Sequence, residues 1–209
     1  MPGMDIQHRR DRFDFFDSFE APALNICYRL TVPDFRPYCR EQGLPAFHFL
    51  HYAVMTSLMG IENFRYRLLN GKVIQIDRPN CSYTVLNDRN LFNFTWFAYT
   101  DDQKEYIRRS LEAKEAAMQS DKLINTGIEK GIEELKKFVF ITSLPWLDFT
   151  SIQHPMHTQK CPDIPNISWG KFKETGNGRL EMPFSVQAHH GFADGYHMHL
   201  LGERIAEKL

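Results

Sequence analysis

An α/β fold, with helices laid over a mixed and largely antiparallel sheet, is the class that the sequence predicts. Short apolar runs outnumber helical patterns, and several of them are joined by connections of hairpin length. No internal repeat and no Pro/Gly/Ser-rich linker divides the 209 residues, so one domain is expected over 1–209.

Leu24–Val32 predicts the first strand. The stretch from Leu44 to Ile61 contains no Asp, Glu, Lys or Arg, which raises the question of a membrane span. His48, His51, Thr56 and Ser57 lie within it and Pro45 stands at its start. Polar groups are costly in lipid and proline suits the first turn of a helix, so Pro45–Met59 reads as a buried helix. Strands follow at Lys72–Asp77, Cys81–Asn87 and Leu91–Tyr99, with turn chemistry from Asn70-Gly71 and from Asn87–Asn90. Asp101–Ser120 is rich in Glu, Lys, Ala and Gln. With Tyr106, Leu111 and Ala117 on one intermittent apolar face, it predicts an exposed amphipathic helix. Phe138–Ser143, Ile167–Glu174 and Arg179–Ala188 complete the strands. Asp194–Leu209 sets Met198, Leu201, Ile205 and Leu209 at spacings of three and four, a terminal helix with one buried stripe.

Composition narrows the function. A hydrophobic fraction of 43% excludes a disordered chain, and 17 Phe residues predict an aromatic core or pocket. The 25 Lys and Arg residues nearly balance 26 Asp and Glu, for a net charge of -1. A general nucleic-acid binder needs a basic excess, so that class is excluded, while a local basic pocket for a phosphate-bearing small molecule is not. The first fifteen residues carry charges of both signs and no continuous apolar stretch, so no secretory signal is read there. Cys27, Cys39, Cys81 and Cys161 are far apart and form no C-x-x-C pair, which predicts reduced thiols in a cytoplasmic protein and no structural zinc.

One segment concentrates chemistry: Ser185-Val-Gln-Ala-His189-His190-Gly191-Phe192-Ala193-Asp194-Gly195-Tyr196-His197-Met198-His199. A strand ends in paired histidines, a three-residue loop follows, and Asp-Gly opens a helix. An imidazole at a strand end can accept and return a proton near neutral pH. Asp194 can cap the terminal helix and Gly195 permits close backbone approach. Two blander readings stand beside this one. The histidines can be hydrogen-bonded core residues with Asp194 only a cap. Four histidines can also gather on a metal, but His189 and His190 alternate to opposite faces of a strand and His197 and His199 diverge on a helix. No metal is expected.

The run His189-His190-x-x-x-Asp194-Gly195 resembles the H-H-x-x-x-D-G motif of CoA-dependent acyltransferases, and other blocks are similar to the chloramphenicol acetyltransferase family. Pro183-Phe-Ser-Val-Gln-Ala-His-His resembles the strand before that motif. Ile141-Thr-Ser-Leu-Pro-Trp146-Leu-Asp-Phe149 resembles an I-S-x-L-P-W-x-x-F segment. Arg9-Arg10-Asp-Arg-Phe13-Asp-Phe15-Phe16 resembles an R-x-x-x-F-x-F segment, and Pro165-Asn-Ile-Ser168-Trp-Gly170-Lys171-Phe172 a P-x-x-T-x-G-K-aromatic stretch. The blocks keep their order from about residue 7 to the end, with a few extra residues between Ile124 and Phe138.

The resemblance implies a two-layer α/β sandwich assembled as a homotrimer with active sites at subunit interfaces. It implies acetyl-CoA as co-substrate and His190 as the general base that takes a proton from an acceptor hydroxyl. It places Asp194 in a salt bridge with Arg9; taken alone, Arg9 reads as a solvated basic residue. The hydroxyl that steadies the oxyanion falls on Thr142, where the family has serine, and Ser143 follows it, so either can supply the donor. Ser168 matches a threonine that holds a water near the intermediate. Trp146, Lys171 and Phe172 match positions near CoA; alone, Lys171 reads as a surface residue and Trp146 as core. The implied acceptor pocket includes Phe16, Glu20, Leu24, Phe92, Ile152, His154 and Met156. Glu20 and His154 are ionisable where the family is apolar. Either they pair with each other at the rim, or the acceptor is more polar than chloramphenicol, or the alignment is displaced there by a residue or two.

The activity that the resemblance implies is acetyl-CoA-dependent O-acetylation of a hydroxyl of chloramphenicol, of the antibiotic-resistance type, or, in an alternative, of a more polar hydroxyl acceptor. A second enzyme reading is the catalytic core of a 2-oxoacid dehydrogenase acyltransferase. That core normally follows a lipoyl domain and a Pro/Ala-rich linker, and this sequence starts directly with the N-terminal block. A third reading is a non-catalytic homologue that binds a ligand without turnover, against which His190, Asp194 and Arg9 all stand.

Overall fold

One of the two longest strands ends at the paired histidines, and most of the fold is arranged around it. A computed structural model of the chain describes residues 6–123, 131–155 and 162–209. From the N-terminal side run α1 (Arg10–Asp17), β1 (Ala23–Pro33), α2 (Arg36–Glu41), α3 (Ala46–Met59), β2 (Tyr66–Leu69), β3 (Lys72–Gln75), β4 (Asn80–Leu86), β5 (Phe92–Phe94) and β6 (Phe97–Ala98). They continue with α4 (Gln103–Gln119), α5 (Ile132–Lys136), β7 (Phe138–Ser143), β8 (Asn166–Trp169), β9 (Lys173–Gly176), β10 (Arg179–His189) and α6 (Gly195–Lys208).

The main sheet has the order β1-β10-β8-β7-β4-β5, with β6 also on β4 and β9 also on β10. Its pairs are antiparallel except β4 with β7 and β7 with β8, so the sheet is mixed and largely antiparallel. Helices α3, α4 and α6 cover one face. Alternation along β10 sends Leu180, Met182, Phe184, Val186 and Ala188 into the core against Leu50, Val54 and Met55 of α3 and Met198, Leu201 and Ile205 of α6. Pro183, Ser185, Gln187 and His189 take the opposite face. There the segment after β7 crosses the sheet: Asn25 donates to the Ile152 carbonyl at 2.6 Å, and the Lys171 N–H donates to the Leu147 carbonyl at 2.8 Å. No helix among the described residues is long and apolar enough to cross a membrane.

Several expected elements differ in detail. The helix beginning at Pro45 starts one residue later, with Pro45 as its extended N-cap. The strand expected over Leu91–Tyr99 is two, β5 and β6, because the Thr95 hydroxyl accepts the Tyr83 N–H at 2.9 Å in place of a backbone carbonyl. The strand expected over Ile167–Glu174 also divides, into β8 and β9. Pro183 of the facing strand has no N–H to donate, and Gly170 sits where a Cβ would come within 2.6 Å of the Pro183 ring. Helices α1, α2 and α5 and strand β2 have no counterpart in the sequence reading; each is short, and its apolar period is too brief to register. Cys27, Cys39 and Cys81 are free thiols. Cys161, Met156 and the stretch from Ile124 to residue 130 lie outside the described residues.

The core is not wholly apolar. His48 and His51 of α3 are buried, and α4 satisfies both. Ser110 Oγ lies 2.7 Å from His48 Nδ1, and Tyr106 OH lies 2.6 Å from His51 Nδ1. Residues three apart on one helix thus meet residues four apart on the other. A second buried polar set lies beside α5, where Lys136 pairs with Asp163. Arg67 donates to the carbonyls of Phe64, Tyr66, Lys136 and Phe138 at 2.7 to 3.1 Å.

Burial lowers His48 to about 4, assisted by the positive charge of Lys114, and lowers His51 to about 3. Both rings therefore bind a proton more readily in the unfolded chain. Their contribution to stability is fully present above the ordinary histidine value near 6.5 and is lost as pH falls toward 4, by up to about 1.4 kcal/mol per pH unit for each ring. The melting temperature should fall steeply between pH 6.5 and 4, and His48→Asn should flatten that fall while lowering the plateau. Equal slopes in both proteins would assign the acid loss to carboxylates instead.

Candidate functional site

Strand β10 delivers His189 and His190 to the rim of the sheet, and their side chains part company there. His189 is fully enclosed. Its Nδ1 accepts the Gly191 N–H at 3.1 Å, its Nε2 lies 3.3 Å from Asp17 Oδ1, and its ring stacks on Phe13 with centroids 5.7 Å apart. Burial lowers its proton affinity, against the opposing charge of Asp17. His190 is half-buried. Its N–H donates to the Pro22 carbonyl at 2.8 Å, and its ring stacks on Phe16 at 3.8 Å. Its Nδ1 lies 3.3 Å from the Ala193 carbonyl. A carbonyl only accepts, so this contact puts the proton on Nδ1 and leaves the Nε2 lone pair for an incoming proton.

Asp194 caps α6. One carboxylate oxygen accepts the Tyr196 N–H at 3.1 Å and also accepts the proton of His197 Nδ1 at 2.8 Å. The other oxygen binds Arg9 Nη2 at 3.1 Å, and Arg9 Nε donates to the Gly191 carbonyl at 3.3 Å. Arg9 thus holds both ends of the loop that carries His190. Burial alone would raise the Asp194 carboxyl; the hydrogen bonds and charges of His197 and Arg9 overcome it and hold the group below the usual carboxylate range. A side chain at residue 191 would meet the Phe13 backbone at 2.8 Å and the His189 ring at 3.1 Å, so only glycine fits there.

A second group of predicted residues gathers elsewhere. Thr142 of β7 is the register partner of Ser168 on β8, and Ser143 that of Trp169. Val139 and Ile141 face the helices, so alternation turns Thr142 to the open face with Ser168, and Ser143 to the face of Trp169. His154 Nε2 lies 2.9 Å from Ser168 Oγ, and burial lowers the His154 proton affinity. Thr142, Ser143, His154, Trp146 and Phe92 line a cleft of about 720 Å³, which Phe47, Tyr83, Leu86, Lys114 and Met118 share.

The two groups do not meet within one chain. Ser168 pairs with Ser185, and His190 lies five residues further along β10. At about 3.3 Å per residue the separation is roughly 16 Å. Phe16, Glu20 and Leu24 belong to the His190 end. Glu20 lines a separate cavity of about 490 Å³ with Asp17, Leu68 and Lys136. Glu20 and His154 line different cavities, and the rim pairing that the sequence allowed is not made among the described residues. Leu24 packs on the helix-side core. Ile152 is tied through its carbonyl to Asn25. Phe172 packs edge-on against Phe35, with centroids 6.0 Å apart, and Lys171 is exposed outside the cleft. Trp146, readable as core, is 60% exposed.

Four contributors escape sequence reasoning. Phe13 and Phe192 stack at 5.1 Å beside His189, Asn63 donates to the Phe192 carbonyl at 2.8 Å, and Asp17 reaches His189. Phe13 stands in the quoted N-terminal block and Asp17 directly after it, but nothing in the sequence distinguishes Asn63. Among the described residues no group of three His, Cys, Asp or Glu is arranged to hold a metal.

The chloramphenicol acetyltransferase family model matches residues 3–205. A chloramphenicol acetyltransferase from Bacillus pumilus is 24% identical over 191 residues, which span 90% of this chain and 84% of that protein. A solved chloramphenicol acetyltransferase superposes with a TM-score of 0.89 at 25% identity, covering 100% of this chain and 99% of that one. The cubic core of the pyruvate dehydrogenase multienzyme complex is similar in fold alone, at 13% identity and a TM-score of 0.63 over 99% of this chain and 90% of that one.

Asp194→Ala removes a helix cap and strands the Arg9 guanidinium. The cap alone is worth about 1 to 2 kcal/mol, and a chain of this size loses about 2 to 4 °C per kcal/mol. The melting temperature of Asp194→Ala should therefore fall by several degrees, and Arg9→Ala should fall with it. Additive losses in the double variant would count against a shared contact.

Proposed function

The chain belongs to the chloramphenicol acetyltransferase family, and we propose that it transfers the acetyl group of acetyl-CoA to a hydroxyl of chloramphenicol. The observation that carries this reading is the His190 ring, held by Phe16 and by the Ala193 carbonyl with Nε2 left open. His190 Nε2 takes the proton of the acceptor hydroxyl as its oxygen attacks the thioester carbonyl. The same ring returns that proton to the departing CoA thiolate, so no acyl group passes through the protein. Thr142 supplies the O–H that steadies the developing oxyanion, with Ser168 beside it. Its orientation toward Ser168 supports it over Ser143. Asp194 and Arg9 hold the loop and touch no reacting atom.

The roughly 16 Å between His190 and the hydroxyl group of residues supports a homotrimer in which one chain's His190 faces the Thr142 cleft of its neighbour. The cleft with Trp146 and Lys114, and with Lys171 and Phe172 just outside it, receives acetyl-CoA. Phe16, Leu24, Phe92, Ile152 and His154 line the acceptor pocket, with Glu20 near its His190 side. One domain spanning the chain performs this chemistry in the cytoplasm, where acetyl-CoA is available, and protects its host from the drug. His154 inside the cleft favours a second reading in acceptor choice alone, a more polar hydroxyl compound than chloramphenicol.

Free thiol should appear from acetyl-CoA on addition of chloramphenicol, and His190→Ala should lower that rate by at least about 10²- to 10⁴-fold while the protein stays folded. Turnover retained in the variant would sink the base assignment. Thiol release with another hydroxyl acceptor but none with chloramphenicol would select the polar-acceptor reading.

A further inference from the structure

Helix α1 presents three side chains to the two histidines at spacings of three and four. Phe13 stacks beneath His189, Phe16 stacks on His190, and Asp17 reaches His189 Nε2. Residues so spaced share one helix face, so a single turn of α1 addresses both rings. Asp17 is the last residue of that helix, where a negative charge opposes the helix dipole. A residue that breaks a local rule and keeps a specific contact is a candidate for function.

The polarity of the contacts around His189 is forced. A carboxylate can only accept, so the proton shared with Asp17 sits on His189 Nε2. The Gly191 N–H can only donate, so Nδ1 carries a lone pair. Burial lowers the ring's proton affinity. The Gly191 carbonyl is taken in turn by Arg9, and Arg9 also binds Asp194. Gly191 is thereby gripped at its N–H through His189 and at its carbonyl through Arg9.

We infer that Asp17 is a positioning residue for the acetyl transfer: through His189 it fixes the Gly191 backbone and hence the aim of the His190 ring. The inference rests on His190 as the proposed base. Removing the carboxylate leaves a buried imidazole N–H without an acceptor. The ring then has one hydrogen bond instead of two to hold it, and the loop gains freedom where a displacement of about 1 Å is costly in rate. An amide oxygen at the same position still accepts that N–H. The effect therefore follows the acceptor atom rather than the charge.

The test uses the whole protein with histidine labelled in ¹⁵N, together with steady-state kinetics. In the wild type, the His189 proton should lie on Nε2 and exchange slowly. Asp17→Ala should lose the protected Nε2 proton, speed exchange of the Gly191 amide, and lower kcat by about 10- to 100-fold, with KM for both substrates within about threefold. Asp17→Asn should restore the protected proton and most of kcat. A wild-type proton on Nδ1 overturns the inference whether or not any variant folds. So does an Asp17→Ala protein with unchanged kcat, or one changed in KM alone. His190→Ala, run in parallel, separates the two readings. Turnover surviving there would remove the proposed base, while the labelled spectra would still judge the Asp17–His189 contact.

Discussion

The salt bridge between Arg9 and Asp194 is the contact on which the arrangement of the site depends. It joins residues 185 apart in sequence and closes a loop of only a few residues between β10 and α6. The chain makes a sharp exit from a strand there, and its backbone groups cannot be satisfied by ladder or helix. Arg9 takes the Gly191 carbonyl, His189 takes the Gly191 N–H, Asn63 takes the Phe192 carbonyl, and Asp194 serves as both counter-ion and cap. Each bond has a separate covalent origin, so the loop is over-determined. The His190 ring is held by the same bonds that fix this loop.

The sheet imposes a second constraint. Since β7 and β8 run together and β10 runs against them, the hydroxyls of Thr142 and Ser168 stand level with Ser185, and His190 emerges five residues further on, just past the end of β10. No bend of this chain brings them together without breaking the ladder. Within one chain, the strand order keeps the two groups of residues apart.

Polar groups are buried at places with different purposes. His48 and His51 are matched by Ser110 and Tyr106 inside the helical layer and are kept neutral by burial. Lys136, Asp163 and Arg67 tie β2, α5 and β7 beside the cavity that Glu20 and Asp17 border. His154 sits in the cleft, within reach of Ser168. The first two sets specify packing, and the third faces the space a ligand would enter.

Much was legible in the sequence because local rules agree with the final fold. Alternation in Arg179–Ala188, the charge-free run after Pro45 and the three-four spacing of Met198, Leu201 and Ile205 each report a buried face, and a buried face follows from period alone. The motif at His189-His190 and Asp194, with Arg9 far upstream, was equally readable as a set of residue types. What the sequence could not hold is distance across the sheet. That Pro183 divides one expected strand into β8 and β9, that Glu20 and His154 line different cavities, and that Asp17 grips His189 all depend on register and on which strand lies beside which. Those choices are made by the packing of the whole core. The sequence alone determined the parts and their chemistry, whereas their separation into two groups was decided by tertiary structure, because hydrogen-bonded strand order is a non-local property.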